Sequence, residues 1–167
     1  GFHGTSHKYV AYKAAEYLEE PIERLKLITC HLGNGSSIAA VDQGKVVDTS
    51  MGMTPLAGLM MGTRCGDLDP SVVNYLKYTL NITGHELDEI LNKKSGLLGI
   101  GEHDAIARAK VCHHMDWLGI RIDTEKNKHP VGDVCEITAW GAKVRTLVIA
   151  TDEELMIARD TKEVIEK

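Results

Sequence analysis

Aromatic residues are scarce in this chain, and basic residues do not cluster. Aromatic side chains make up 5% of the 167 residues, which argues against a protein that binds nucleic acid by stacking bases. The formal net charge is −5, with acidic and basic residues interspersed along the chain. Neither nucleic acid nor an anionic membrane is therefore expected as a partner.

Paired cysteines and long apolar runs are also missing from the sequence. The four cysteines form no Cys-x-x-Cys pair, so we expect free thiols in a reducing cytoplasm rather than disulfides or a zinc site. No run has the length of a transmembrane helix, and the first residues lack the layout of a signal peptide. The chain begins at Gly1 without an initiator methionine, and we expect it to be a fragment of a larger two-lobed protein.

Hydrophobic residues make up 43% of the chain, enough to build a core, and helical and strand patterns alternate, which predicts an α/β domain. Helices are expected from Thr5 or Ser6 to about Glu19, from Pro70 to Leu80, from Glu86 to Lys94, from Ala105 to Trp117, and from Asp152 onward. Strands are expected as two successive hairpins between Leu25 and Ser50, and at Gly119–Ile122, Val134–Ile137 and Val144–Ile149.

The most informative segment is the loop His31-Leu-Gly-Asn-Gly-Ser-Ser37, which lies between two apolar runs. Loops rich in glycine, amide and hydroxyl groups can present several backbone N–H groups to one point, as a phosphate oxygen requires. A polar hairpin turn explains the same residues equally well from spacing alone. No Gly-Lys-Ser/Thr follows the glycines, so this is not a Walker loop.

Arg64 and His3 are the candidate catalytic residues. Arg64 follows an irregular apolar loop and precedes Asp67 and Asp69, so it either forms a structural ion pair with one of them or binds a carboxylate or phosphoryl group through its guanidinium. His3 and His7 have the i,i+4 spacing of a metal pair, if both lie on a helix. A single His3 that hydrogen-bonds a substrate is the more economical interpretation.

Three further segments carry weaker signals. Glu153 and Glu154 open the last predicted helix, where acids suit the helix dipole, but either could hold Mg²⁺. Gly99-Ile-Gly-Glu102 is an isolated glycine pair. Cys112-His113-His114 has no partner motif and is interpreted as an exposed helix face.

Taken together, these segments resemble the signatures of the acetate kinase family. The matching motifs are Gly1-Phe-His-Gly-Thr-Ser-His-Lys-Tyr-Val10, His31-Leu-Gly-Asn-Gly-Ser-Ser37, Asp48-Thr-Ser-Met-Gly-Met-Thr-Pro55, Gly62-Thr-Arg-Cys-Gly-Asp-Leu-Asp-Pro70 and Thr151-Asp-Glu-Glu-Leu-Met-Ile-Ala-Arg-Asp160. The resemblance covers nearly the whole chain and corresponds to the C-terminal half of the family. It implies an α/β, ribonuclease-H-like lobe of the actin and sugar-kinase superfamily, with a mixed sheet flanked by helices.

The resemblance also implies a role for individual residues. His3 and Arg64 match positions that stabilise the transition state of in-line phosphoryl transfer, and Glu153 matches a Mg²⁺ ligand. The loop that binds the ATP phosphates matches His31, Leu32, Gly33, Asn34 and Gly35. A loop near the adenosine matches Gly99, Ile100, Gly101 and Glu102, with His103 in place of asparagine.

The implied reaction is acetate plus ATP to acetyl phosphate plus ADP, with ATP and Mg²⁺ as cofactors. Propionate or butyrate kinase and an inactive nucleotide-binding fragment are the alternatives. Residues 1–167 form one C-terminal domain in this interpretation, and residues 1–100 and 101–167 flank a missing internal segment. We expect the chain alone to be inactive, because the family's N-terminal half carries the catalytic aspartate and a substrate-side arginine. A homodimer in the cytoplasm is expected.

Overall fold

The computed structural model describes residues 1–97 and 105–166. The helices are α1 (Gly4–Leu18), α2 (Pro70–Leu80), α3 (Gly84–Lys93), α4 (Ala105–Cys112), α5 (Thr124–Lys128) and α6 (Glu153–Ile165). The strands are β1 (Lys26–Leu32), β2 (Ser36–Asp42), β3 (Lys45–Thr49), β4 (Val134–Glu136) and β5 (Leu147–Ile149). Two short 3₁₀ turns lie at Ile22–Arg24 and Asp116–Leu118.

The chain divides into two compact units. The first comprises residues 1–4 and 27–102, and the second comprises residues 5–26 and 103–167. The expected sheet is present, within the described residues, as a three-stranded sheet in the order β1-β2-β3 and a separate pair, β4-β5. None of the described helices is long and apolar enough to cross a membrane.

The predicted hairpins of the first unit are confirmed. β2 pairs antiparallel with β3, from Ala39 opposite Thr49 to Asp42 opposite Lys45. Gln43 and Gly44, which join the two strands, have φ angles of 53° and 76°. A two-residue connection with positive φ at both positions matches the right-handed twist of the strands, which explains the turn residues at this point.

Helix α2 begins where the sequence predicts, because Asp69 accepts a hydrogen bond from the Ser71 N–H at 2.8 Å and Pro70 takes the first helical position. Helix α3 begins at Gly84, two residues before the prediction. Thr83 and Glu86 form a reciprocal capping box that extends the helix to this point.

The second unit differs more from expectation. α4 ends at Cys112 rather than Trp117, and His114 has a φ of 64°, outside the helical region. The interpretation of Cys112-His113-His114 as a helix face is therefore wrong for the two histidines. Gly119 ends the following 3₁₀ turn with a φ of 82°.

Helix α5 was not predicted, because its sequence has no apolar pattern. Asp123 caps it by accepting hydrogen bonds from the N–H groups of Glu125 and Lys126. Asn127 is 2% exposed, and its amide donates to the Ala105 carbonyl while Arg108 donates to its side-chain oxygen. The helix is thus stabilised by a cap and by buried polar contacts, not by an apolar face.

Candidate functional site

His3 is held by its backbone conformation, a hydrogen bond and a stacked ring. It immediately precedes α1 with a φ of 57°, a left-handed conformation that few non-glycine residues adopt. Its Nδ1 atom lies 2.8 Å from the Ser37 hydroxyl, and its ring stacks on the ring of His31 at 4.0 Å between centroids. These contacts define both the plane of the ring and the direction of its other nitrogen, Nε2.

β1 ends at Leu32, and the loop that follows it folds back on itself. The Gly33 N–H donates to the Gly35 carbonyl at 3.0 Å, and the Ser36 hydroxyl donates to the Gly33 carbonyl at 3.2 Å. The Gly62 N–H donates to the Asn34 carbonyl at 3.1 Å. The loop is therefore held both internally and by the irregular segment that leads to Arg64.

His3 and Arg64 meet at Gly35. A methyl group at Gly35 would lie 3.0 Å from Nε2 of His3 and 3.3 Å from Nη1 of Arg64. Two nitrogen atoms from distant parts of the sequence therefore approach the same glycine, and the absence of a side chain there permits this approach. A guanidinium and a protonated ring nitrogen can both hydrogen-bond an anion.

Arg64 is positioned by the irregular loop rather than by an ion pair. Its Nη1 donates to the Pro55 carbonyl at 3.1 Å. Asp67 accepts the Gly58 N–H instead, and Asp69 caps α2. Within residues 1–97 and 105–166, Arg64 forms no ion pair with either aspartate, so the structural alternative for Arg64 is wrong.

The metal-pair alternative for His3 and His7 is not supported. Only His7 lies on α1, where it is 4% exposed, whereas His3 precedes the helix with a positive φ. Among the residues that the structure describes, no cluster of three or more histidine, cysteine or acidic side chains could hold a metal ion.

Glu153 lies at an acidic cavity in the second unit. The cavity has a volume of about 410 Å³ and is lined by Tyr9, Asp133, Ala150, Thr151, Asp152, Glu153 and Glu154. Asp152 caps α6 by accepting the Leu155 N–H at 2.9 Å, and Asp152, Glu153 and Glu154 are all exposed. Glu153 suits Mg²⁺, which keeps several waters and commonly takes one or two carboxylates together with phosphate oxygens.

The predicted adenosine loop lies outside the residues that the structure describes. It comprises Gly99, Ile100, Gly101, Glu102 and His103.

Ser37 is the site residue that sequence reasoning did not single out. It is fully buried, at 0% exposure, on the face of β2 that also buries Ala39 and Val41. The sequence placed Ser37 in the loop before the predicted strand, whereas the structure includes it in β2 with its side chain buried.

This fold is similar to that of solved acetate and propionate kinases, which places the chain in the fold class of actin and the sugar kinases. An acetate kinase from Porphyromonas gingivalis superposes with a TM-score of 0.91 and 34% identity, over 99% of this chain and 55% of that one. A propionate kinase from Francisella tularensis superposes with a TM-score of 0.83 and 34% identity, over 96% and 54%. The predicted fold class is confirmed.

The chain belongs to the acetokinase family, whose sequence model matches residues 1–104 and 98–159. The acetate kinase of Clostridium acetobutylicum is 43% identical over 223 aligned positions, covering all of this chain and 56% of that protein. The acetate kinase of Moorella thermoacetica is 44% identical over 216 positions, covering 96% and 54%. The chain therefore spans about half the length of the curated relatives it matches, and the predicted family is confirmed.

Proposed function

We propose that this chain is the C-terminal, phosphate-binding part of an ATP-dependent kinase that converts acetate and ATP to acetyl phosphate and ADP. The observation that carries this proposal is that His3 Nε2 and Arg64 Nη1 both approach Gly35, within the candidate phosphate-binding loop. Both atoms belong to residue types that bind phosphoryl oxygens, and the loop that contains Gly35 is rich in backbone donors.

The proposed chemistry needs little covalent help from the protein. A carboxylate oxygen attacks the γ-phosphorus of ATP, the bond to the β–γ bridging oxygen breaks, and ADP leaves. The Arg64 guanidinium would neutralise charge on the equatorial phosphoryl oxygens, and a His3 N–H would donate to one of them. The loop from His31 to Gly35 would hold the remaining phosphates.

Mg²⁺ is the metal that this reaction uses, and its bound form supplies charge neutralisation of the nucleotide phosphates. Glu153 would hold it, because this carboxylate is exposed at a cavity that has room for water and phosphate oxygens. Asp152 is instead occupied as a helix cap. Gly99 to His103 stay a predicted adenosine contact, as the family resemblance implies.

Propionate is the second candidate substrate, because a propionate kinase of 34% identity matches almost the whole fold. Acetate and propionate differ by one methylene, which a hydrophobic pocket distinguishes by only about 1–3 kcal/mol. Butyrate follows the same reasoning.

The expected internal deletion has support in the alignments. The 43% identical relative aligns over 223 positions, although this chain has 167 residues, and the two family matches overlap at residues 98–104. We propose that the relatives carry an additional segment at this point. The homodimer expected from the family stays a prediction.

Two measurements on the purified chain test the proposed function. Calorimetry should detect saturable binding of ATP that weakens when Mg²⁺ is removed with a chelator. A hydroxamate assay with acetate or propionate should give no acyl phosphate above background, since the chain spans about half of its relatives. Product formation would contradict the predicted inactivity, and absence of nucleotide binding would contradict the phosphate-binding role.

A further inference from the structure

We propose that Ser37 is a positioning residue that selects the tautomer of the neutral His3 imidazole. Specifically, its hydroxyl donates to Nδ1, which leaves the proton of the neutral imidazole on Nε2. The inference rests on the proposed function, because the need for a donor at Nε2 arises from a bound phosphoryl group.

The first step is the geometry of the ring. His3 Nδ1 lies 2.8 Å from the Ser37 Oγ, so one of the two atoms donates to the other. The ring plane is fixed by stacking on His31, with 23° between the ring planes. A rotation that exchanged the two nitrogens would break the contact with Ser37.

The second step is the chemistry at Nε2. This atom and Arg64 Nη1 both lie close to Gly35, and the guanidinium charge favours an anion bound beside them. A nitrogen lone pair would repel that anion, so Nε2 must carry a proton in order to bind it. In a neutral imidazole one nitrogen donates and the other accepts, so Nδ1 must then accept a hydrogen bond.

The third step is the source of that hydrogen bond. A serine hydroxyl both donates and accepts, and its hydrogen rotates to suit its partner. Ser37 is completely buried beside the half-buried His3 ring, so its hydroxyl is held on the side of Nδ1. The arrangement provides an Nε2–H donor without a charged imidazolium. His3 also adopts a left-handed backbone conformation, of the kind that clusters at functional sites.

Nitrogen-15 NMR of the histidine rings tests the proposal on the whole 167-residue chain. His3 should show a single neutral tautomer with the proton on Nε2, and the H3Q substitution should remove the signal and so assign it. S37A should replace this pattern by a tautomer mixture like that of an exposed histidine in the same spectrum. A proton on Nδ1, or on both nitrogens, in the unsubstituted chain at neutral pH would overturn the proposal without any variant.

S36A is the matched control, because Ser36 is a neighbouring buried serine whose hydroxyl donates to the Gly33 carbonyl instead. It should leave the His3 tautomer unchanged. An S37A chain that folds and keeps the pure Nε2–H pattern would overturn the role of Ser37, as would an equal change in S36A.

Calorimetry with MgATP separates this proposal from the proposed function. S37A should weaken binding about two- to tenfold, the range of one hydrogen bond. If the unsubstituted chain shows the Nε2–H tautomer but no MgATP binding, the proposed function fails and the role of Ser37 stands. If MgATP binds and the proton lies on Nδ1, the role of Ser37 fails and the proposed function stands.

Discussion

The loop at residues 31–37 and the acidic cavity at residues 150–154 represent two different kinds of candidate site. In the first, Ser37 is buried and His3 is fixed by a hydrogen bond and a stacked ring, so the donors are positioned before any ligand binds. In the second, consecutive residues line a cavity and Glu153 is exposed. The first site is preorganised by the fold, whereas the carboxylates of the second are exposed and one of them, Asp152, is bound as a helix cap.

The largest effect is expected from crowding His3 and Arg64 at Gly35. G35A should weaken MgATP binding roughly 100-fold, because the added methyl would push both the His3 ring and the Arg64 guanidinium out of their positions. G84A is the matched control, since a methyl group at Gly84 meets no atom within 4 Å. Calorimetry measures the affinity of both variants for MgATP. Equal affinities for G35A and the unsubstituted chain would show that Gly35 does not belong to the binding site.

Removal of the cation should have the next largest effect. R64A should weaken MgATP binding roughly tenfold to 100-fold, the range for hydrogen bonds to a charged group. R64K should recover only part of the loss, because an ammonium group lacks the planar fork. R24A removes an exposed arginine of the second unit and is expected to have no effect. A loss in R24A as large as that in R64A would indicate a general charge effect.

A smaller effect is expected at the acidic cavity. E153Q should weaken the Mg²⁺-dependent part of ATP binding about threefold to tenfold, since one of several metal ligands becomes neutral. D152N keeps the helix cap, because asparagine caps as well as aspartate, and should leave the thermal stability unchanged. ATP titrations with and without Mg²⁺ measure the Mg²⁺-dependent part of the affinity. If D152N lowered it more than E153Q does, Asp152 rather than Glu153 would be the Mg²⁺ ligand.

The smallest effect concerns the pH dependence of stability in the second unit. Arg145 donates two hydrogen bonds to Glu136 and lowers the pKa of this carboxyl below its ordinary value of 4.5. The stabilisation is therefore complete above that value and is lost as the pH falls through the lowered pKa. Thermal unfolding from pH 7 to pH 3 should show a smaller decrease in Tm for E136Q than for the unsubstituted chain, and identical profiles would contradict this.

Local sequence signals predicted the elements that rest on local chemistry. The start of α2 follows from Asp69 and Pro70, and the β2–β3 turn follows from Gln43 and Gly44. Helix α5 was missed because its stability comes from the buried Asn127 and its partners, which apolar periodicity does not report.

The candidate site was predictable in its residues but not in its contacts. His3, Gly35 and Arg64 could be named from the motifs, but their approach depends on pairing between residues far apart in sequence. Ser37 was part of the predicted loop, but its hydrogen bond with His3 was not predicted, since the two residues lie 34 positions apart. The role of Arg64 also needed the fold, because Asp67 and Asp69 are adjacent in sequence and yet bind other groups.

The central claim is that the loop and its two catalytic candidates bind the phosphates of a nucleotide. The most direct test is NMR of the ¹⁵N-labelled chain during titration with MgATP. The backbone amides of Gly33 and Gly35 and the Nε2 signal of His3 should move together and saturate, while the amide of Gly84 stays in place. Saturable shifts that avoid these three signals, or no shifts at all, would contradict the claim.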